Sequence, residues 1–176
     1  AANDGATGVQ DIVGDFWATG MDADSINAQG IKPIQGRLDA IAALDSQEAV
    51  TEYLRSSAAK GENFLFSFGA EADFKQSDMN IAYAAQGGLG LPDKSYYFEA
   101  DKKDKLDAYQ AHIAKVLELS GIEAATAAEQ AKAVIEFETR LAKASKSSEE
   151  LSRDVSLYYN PVSLADADKL TPNFSW

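Results

Sequence analysis

Three features of this chain have residue types that could do chemistry. The stretch QGGLGLPDKSYY, residues 86–97, holds three glycines in five positions and could cradle a phosphate with backbone N–H groups. The single histidine, His112, could ligate a metal or serve as a base. The 28 acidic side chains, among them Glu48, Glu52, Asp73, Asp78, Asp93, Glu136 and Glu138, could include a pair set for acid–base work.

Each option meets a chemical obstacle. A dinucleotide fingerprint needs G-x-G-x-x-G between a strand and a helix, but the order here is GGLGLPD followed by Tyr96 and Tyr97. Pro92 drives Leu91 extended and sets up a turn with Asp93 and Lys94, so no helix N-terminus is expected to face an anion. The glycines read instead as a tight exit from a strand, with Tyr96 and Tyr97 burying their rings to anchor the returning chain. A zinc centre needs three or four ligands, and HExxH needs two histidines one turn apart, which one histidine cannot supply. A serine triad would need His112 as well, and no G-x-S-x-G is present; Ser67, before Phe68 and Gly69, lies in a strand pattern. A glycosidase needs two carboxylates across a cleft, which spacing alone cannot place. Asp22 and Asp24 do not complete the D-x-D-x-[DN]-G-x₅-E calcium loop. No catalytic, cofactor-binding or metal-binding residue is therefore assigned.

Composition narrows the partners. Formal net charge is −12, which repels phosphate backbones and anionic lipid, so neither nucleic acid nor membrane insertion is expected. With no cysteine, disulfides and thiolate metal sites are excluded. No apolar run approaches the ~20 residues of a membrane span, and AANDGATG at the start has no basic n-region, so it is not a signal peptide.

The elements that would position these residues follow from periodicity. Ile12, Val13, Phe16 and Trp17 predict a helix over residues 10–18, ended by Gly20, then a loop with Asp22, Asp24 and Asn27. Pro33 suits a first helical turn, and Ile34, Leu38, Ile41 and Leu44 form an amphipathic stripe. Asp45 and Glu48, spaced as a capping pair, open another helix through Val50, Tyr53 and Leu54, closed by Gly61. Phe64, Phe66 and Phe68, and then Met79, Ile81, Tyr83 and Ala85, alternate at period two and predict a β-hairpin over 64–73 and 79–86. A lone hairpin is marginal in water and must pack on helices. Residues 101–120 predict the longest helix, with Gly121 past its end. Thr126 and Glu129 predict a capping box for the next helix, with Ala131, Val134, Ile135 and Leu141 on its apolar side. Ser147 and Glu150 repeat the box, and the tail reads as loop with a helical turn near Leu164. The fold class is mainly α, several antiparallel helices with one small β-hairpin, in a single unit over residues 1–176.

The series Q-G-G-L-G-L-P-D-x-x-Y-Y resembles the N-terminal half of neprilysin-type zinc endopeptidases, the family of neprilysin, endothelin-converting enzyme and bacterial PepO. In the same order, Gly20-Met21-Asp22, Gly30 to Ile34, Leu65 to Asp73, Tyr109-x-x-His112, Glu138-Thr139-x-Leu141-Ala142-x-Ala144-Ser145, Arg153-Asp154, Tyr159-Asn160 and Phe174-Ser175-Trp176 resemble that family's segments. The resemblance implies that the chain is part of a helical cap over an active-site chamber. It implies that catalytic zinc, held by HExxH and a downstream glutamate, belongs to a C-terminal domain of the same protein, with short peptides as substrates. No family zinc or substrate residue maps onto this chain. Gly20 stands where mammalian relatives carry a cysteine, and Ala18 near where an arginine would help hold peptide carboxylates; a bacterial, disulfide-free relative fits better. The implied location is periplasmic or extracellular. Part of a larger enzyme is expected to expose apolar surface and to self-associate in isolation. A stand-alone helical module that binds peptides or proteins without catalysis is the alternative.

Overall fold

The computed structural model describes residues 7–174 and 176. Among them the chain is mainly helical with one two-stranded antiparallel sheet, as the periodicity indicates. Two compact units divide between Asp45 and Ser46.

The first unit holds α1 (Val9–Met21), α2 (Ala23–Gln29) and α3 (Lys32–Ala42). α1 runs past the glycine expected to end it, because Gly20 inside a helix costs only about 1 kcal/mol against alanine. The loop expected around Asp22 and Asp24 is instead α2. Asp22 caps it, accepting from the Ser25 N–H at 3.0 Å and the Ser25 hydroxyl at 2.7 Å, and these bonds hold the Asp22 carboxyl below its ordinary pKa. Pro33 lies in the first turn of α3, where its missing N–H has no helical partner to lose.

The second unit runs from α4 (Gln47–Ala58) through β1 (Phe66–Ala72), β2 (Asn80–Gln86), α5 (Lys103–Leu119), α6 (Ala124–Ala144) and α7 (Ser148–Arg153) to α8 (Leu164–Leu170). Ser46, not Asp45, caps α4, accepting from the Ala49 N–H at 3.1 Å. α6 begins two residues before Thr126. Its cap is Glu123, whose carboxylate reaches the N–H groups of Ala125 and Thr126 and so takes the place of the expected Thr126–Glu129 box. The Ser147–Glu150 box forms as read, with both reciprocal bonds present. Gly121, at φ +96°, turns the chain out of α5 while the Ile122 N–H returns to the Leu117 carbonyl, the 6→1 bond of a glycine-closed helix end.

α6 buries a line of Ala127, Ala131, Ile135, Glu138 and Ala142, spaced four, four, three and four apart, so that one face is continuous. Three of the five are alanines, which lets the backbone of α5 approach closely. Val134, placed by its period on that face, is 37% exposed beside it.

The hairpin pairs Phe66 with Gln86 through Ala72 with Asn80 in unbroken register. Partners share a face, so the two apolar alternations lie on opposite sides: Phe66 and Phe68 on one, Ile81 and Tyr83 on the other. Each side is covered by rings from the C-terminal tail. Phe66 meets Phe174 at 5.5 Å and Trp176 at 5.4 Å between centroids, and Phe68 meets Trp176 at 6.0 Å. Across the sheet Phe74 bridges Tyr83 and Tyr159 at 5.6 and 5.8 Å. α4 touches the entry to β1, where Tyr53 and Phe64 lie 6.0 Å apart. The packing that a lone hairpin requires thus comes chiefly from tail aromatics at sequence separations too long for periodicity to reveal.

Candidate functional site

The residues singled out for their chemistry separate into one cluster and several isolated side chains. His112 is exposed on α5. Ser67 lies in β1, its hydroxyl near the Ala85 carbonyl. Asp22 and Asp24 belong to the cap and first turn of α2. Among the described residues no three His, Cys, Asp or Glu side chains are grouped to hold a metal ion. One exposed histidine and no such group among the described residues do not match the donor set that a catalytic zinc takes.

The Gly-rich stretch, by contrast, sits at a dense polar centre. Glu138 on α6 is buried, and its carboxylate accepts from the Tyr97 hydroxyl at 2.6 Å, the Tyr109 hydroxyl at 3.0 Å and the Gly90 N–H at 3.3 Å. The Tyr97 hydroxyl in turn accepts from the Leu91 N–H at 3.2 Å. No cation faces the carboxylate in this set; three hydrogen bonds satisfy it instead. Burial, together with hydrogen bonds to Glu138, pushes the Tyr109 phenol up to about 12 and raises the Tyr97 phenol further. Both phenols are locked in the protonated, donating state.

The glycines are demanded by this packing. A Cβ on Gly90 would stand 1.7 Å from the Tyr109 hydroxyl, and one on Gly88, which has φ +77°, 2.9 Å from backbone atoms of Phe64 and Leu65. The glycines are thus a close approach of backbone to backbone and to a phenol. Pro92 is followed by Asp93, which caps a single 3-10 turn, Lys94–Tyr97. Tyr97 buries its ring as expected, at 7% exposure. Tyr96 remains half-buried, with the Lys102 ammonium 5.3 Å from its ring centre.

The stretch also grips the α6–α7 junction. Gln86 donates to the Lys146 carbonyl and accepts from its N–H, both at 2.8 Å. Lys94 donates to the Ser145 carbonyl at 2.6 Å. Asp93 accepts from the N–H groups of Ser148 and Ser95, and these bonds, the Ser148 one foremost, hold its carboxyl well below the usual carboxylate range. Beside this junction a shallow groove of ≈ 380 Å³ is lined by residues 86–92 and Ser145. Every buried side-chain nitrogen and oxygen among the described residues has a hydrogen-bond partner. The cluster is a hydrogen-bonded hub whose buried polar groups satisfy one another.

Sequence reasoning gave Glu138 no role beyond a carboxylate and a motif letter. Its three donors lie 29, 41 and 48 residues away, so no local spacing marks it. The signal was present in the company it keeps: the segments Q-G-G-L-G-L-P-D-x-x-Y-Y, Y-x-x-H and E-T-x-L-A-x-A-S are those that meet in this hub.

Comparison with known proteins agrees with that convergence. The family model for the N-terminal region of Peptidase family M13 matches residues 1–176. This chain belongs to peptidase family M13. The M13 chain is 34% identical over 115 residues to endothelin-converting enzyme-like 1 of Rattus norvegicus, covering 64% of the chain and 15% of that protein. It is 33% identical over 135 residues to endothelin-converting enzyme 1 of Cavia porcellus, covering 75% of the chain and 17% of that protein. The Mycobacterium tuberculosis zinc metalloprotease ZMP1 in its open state superposes with TM-score 0.85 at 28% identity, covering 97% of this chain and 27% of that one. PepO from Lactobacillus rhamnosis shares the fold, with TM-score 0.71 at 22% identity over 83% of this chain and 23% of that one. The chain spans about a sixth of the length of the curated relatives and about a quarter of the solved structures it matches.

Proposed function

We propose that this M13 region is a non-catalytic part of a zinc metallopeptidase and forms a section of the wall around its peptide-binding chamber. The observation carrying the reading is the Glu138 hub. Its carboxylate, two phenols and Gly-rich turn, the features with most chemical potential in the chain, are consumed in holding α5, α6 and the hairpin exit together. Zinc and the groups that activate water belong, in this reading, to a catalytic domain of the same protein, outside these 176 residues. The similarity to a solved zinc metalloprotease at TM-score 0.85 supports it. Short peptides are the substrates proposed for the whole enzyme, because a wall excludes what cannot fit behind it. A periplasmic or extracellular location is proposed with it. Among the described residues no helix is long and apolar enough to cross a membrane.

The test is the peptide-length profile of an M13 peptidase carrying this region intact or with Glu138→Ala. A wall held by the hub predicts that cleavage of short peptides persists while longer peptides gain access in the variant. An unchanged length limit, with the region measurably loosened, contradicts the enclosure.

A further inference from the structure

We propose that the apolar face of α1 is a docking surface for the rest of the M13 protein, the part outside these 176 residues, and that the first unit holds its helices only when that face is covered. Val9, Ile12, Val13, Phe16, Trp17 and Met21 follow one another at intervals of three, one, three, one and four, which puts all six on one side of α1. That side is the apolar half of an amphipathic helix, yet each of the six is 60–81% exposed. α2 and α3 do not cover it. The row on α3 is better sheltered: Leu38 is half-buried, and Ile34 and Ile41 are about half exposed.

The first unit lacks what would hold it alone. Among the described residues every buried one lies in the second unit. The helices of the first unit have 13, 7 and 11 residues, at or below the ~12–15 at which an isolated helix is marginal in water. Their stability has to come from burying an apolar face, which must also offset the entropy of ordering the chain. Within these 176 residues α1 buries none of its own. A contiguous exposed face of this kind, with two adjacent aromatic rings, marks an interaction surface.

Three occupants could cover the face, and the observations favour one. An anionic lipid surface takes amphipathic helices with Lys or Arg on the polar side, but VQDIVGDFWATGM has two acids and no base. A second copy brings another net charge of −12. The rest of the protein is tethered to α1 and so stands at a high effective concentration. The comparison with ZMP1 fits that occupant: 97% of this chain, all but about five residues, superposes with TM-score 0.85 on a chain of which it is only 27%. Most of α1 therefore has a counterpart inside a much larger protein. The complementary surface is apolar, with pockets for the Phe16 and Trp17 rings as anchors. This inference rests on the reading of the region as part of a larger M13 enzyme, and not on its enclosing a peptide chamber.

The experiment compares hydrogen–deuterium exchange of residues 9–21 in the full-length M13 protein that carries this region and in the 176-residue chain. The α1 amides are protected at least about a hundredfold more in the full-length protein, a comparison that needs no variant. In the full-length protein Phe16→Asp and Trp17→Asp each lower that protection by about thirtyfold or more, the measure of a lost aromatic anchor. Ala18→Gln, on the opposite side of α1, leaves it unchanged, and exchange in α6 is unchanged throughout. Equal protection in the two proteins overturns the proposal, since α1 is then covered by this chain's own residues or by nothing. Protection of the 176-residue chain that rises with its concentration overturns it in favour of self-pairing, and protection gained on phosphatidylserine vesicles in favour of a lipid surface. The peptide-length limit probed with Glu138→Ala can fail while α1 stays protected, and the reverse, so the two readings fall separately.

Discussion

Removing the Glu138 carboxylate should cost more than any exposed charge in this chain, and its size follows from the three donors it leaves behind. In Glu138→Ala the Tyr97 hydroxyl, 7% exposed, loses its acceptor, and the Gly90 N–H and the half-buried Tyr109 hydroxyl lose theirs. A buried donor left unsatisfied costs ~1–3 kcal/mol, and water can still reach the less buried two, so the variant should lose about 3–5 kcal/mol. For a domain of this size that corresponds to a fall in Tm of roughly 10 °C. Glu138→Gln keeps an acceptor oxygen for Tyr97 and Gly90, and its amide can donate to the Tyr109 oxygen. Only the charge assistance is lost, and burying an amide costs less than burying a carboxylate, so about 1 kcal/mol is expected. The assay is urea and thermal unfolding in a Trp17→Phe background, so that Trp176, packed on Phe66 and Phe174, reports on the second unit. The reasoning is refuted if Glu138→Ala loses less than about 1 kcal/mol, or if alanine and glutamine are equally damaging.

Other consequences of the same geometry can be measured together. Gly88→Ala should destabilise by about 2–3 kcal/mol, since positive φ and backbone atoms at 2.9 Å oppose it, whereas Gly121→Ala, with φ +96° and open space, should cost only about 1–2 kcal/mol by chemical denaturation. Gly90→Ala should displace the Tyr109 phenol, and a second change, Tyr109→Ala, should recover part of the loss; an additive double variant would contradict the clash. The Tyr109 pKa is raised in the fold, so its contribution is whole below about pH 10 and lost as pH rises through about 12, visible as late phenolate absorbance that Glu138→Gln brings earlier. The Asp93 pKa is lowered in the fold, so its contribution is present above the ordinary carboxylate range and lost on acidification; Asp93→Asn should flatten the fall in stability toward low pH.

What could be read from the sequence was what local chemistry decides. Alternating Phe66 and Phe68 and then Ile81 and Tyr83 marked the hairpin, and Ser147 with Glu150 marked the start of α7. Pro92 and the absence of a helix at the glycines were enough to reject a phosphate cradle. The misses share a cause. Asp22 and Glu123 act as caps through carboxylates that no four-residue template distinguishes from other acids, so sequence pattern alone reads α2 as a loop and starts α6 late. Phe174 and Trp176 lie in a segment without periodicity, yet they cover one face of the hairpin. Glu138 could not be picked from 28 acids, because its meaning comes from partners on three other segments.

The central claim, that this region contributes shape and no chemistry, is tested most directly by peptide hydrolysis with the purified chain alone, with and without added zinc. The account predicts no zinc-dependent cleavage of short peptides and no stoichiometric zinc bound. Cleavage that appears with zinc, disappears with chelator and tracks one bound metal per chain would contradict it.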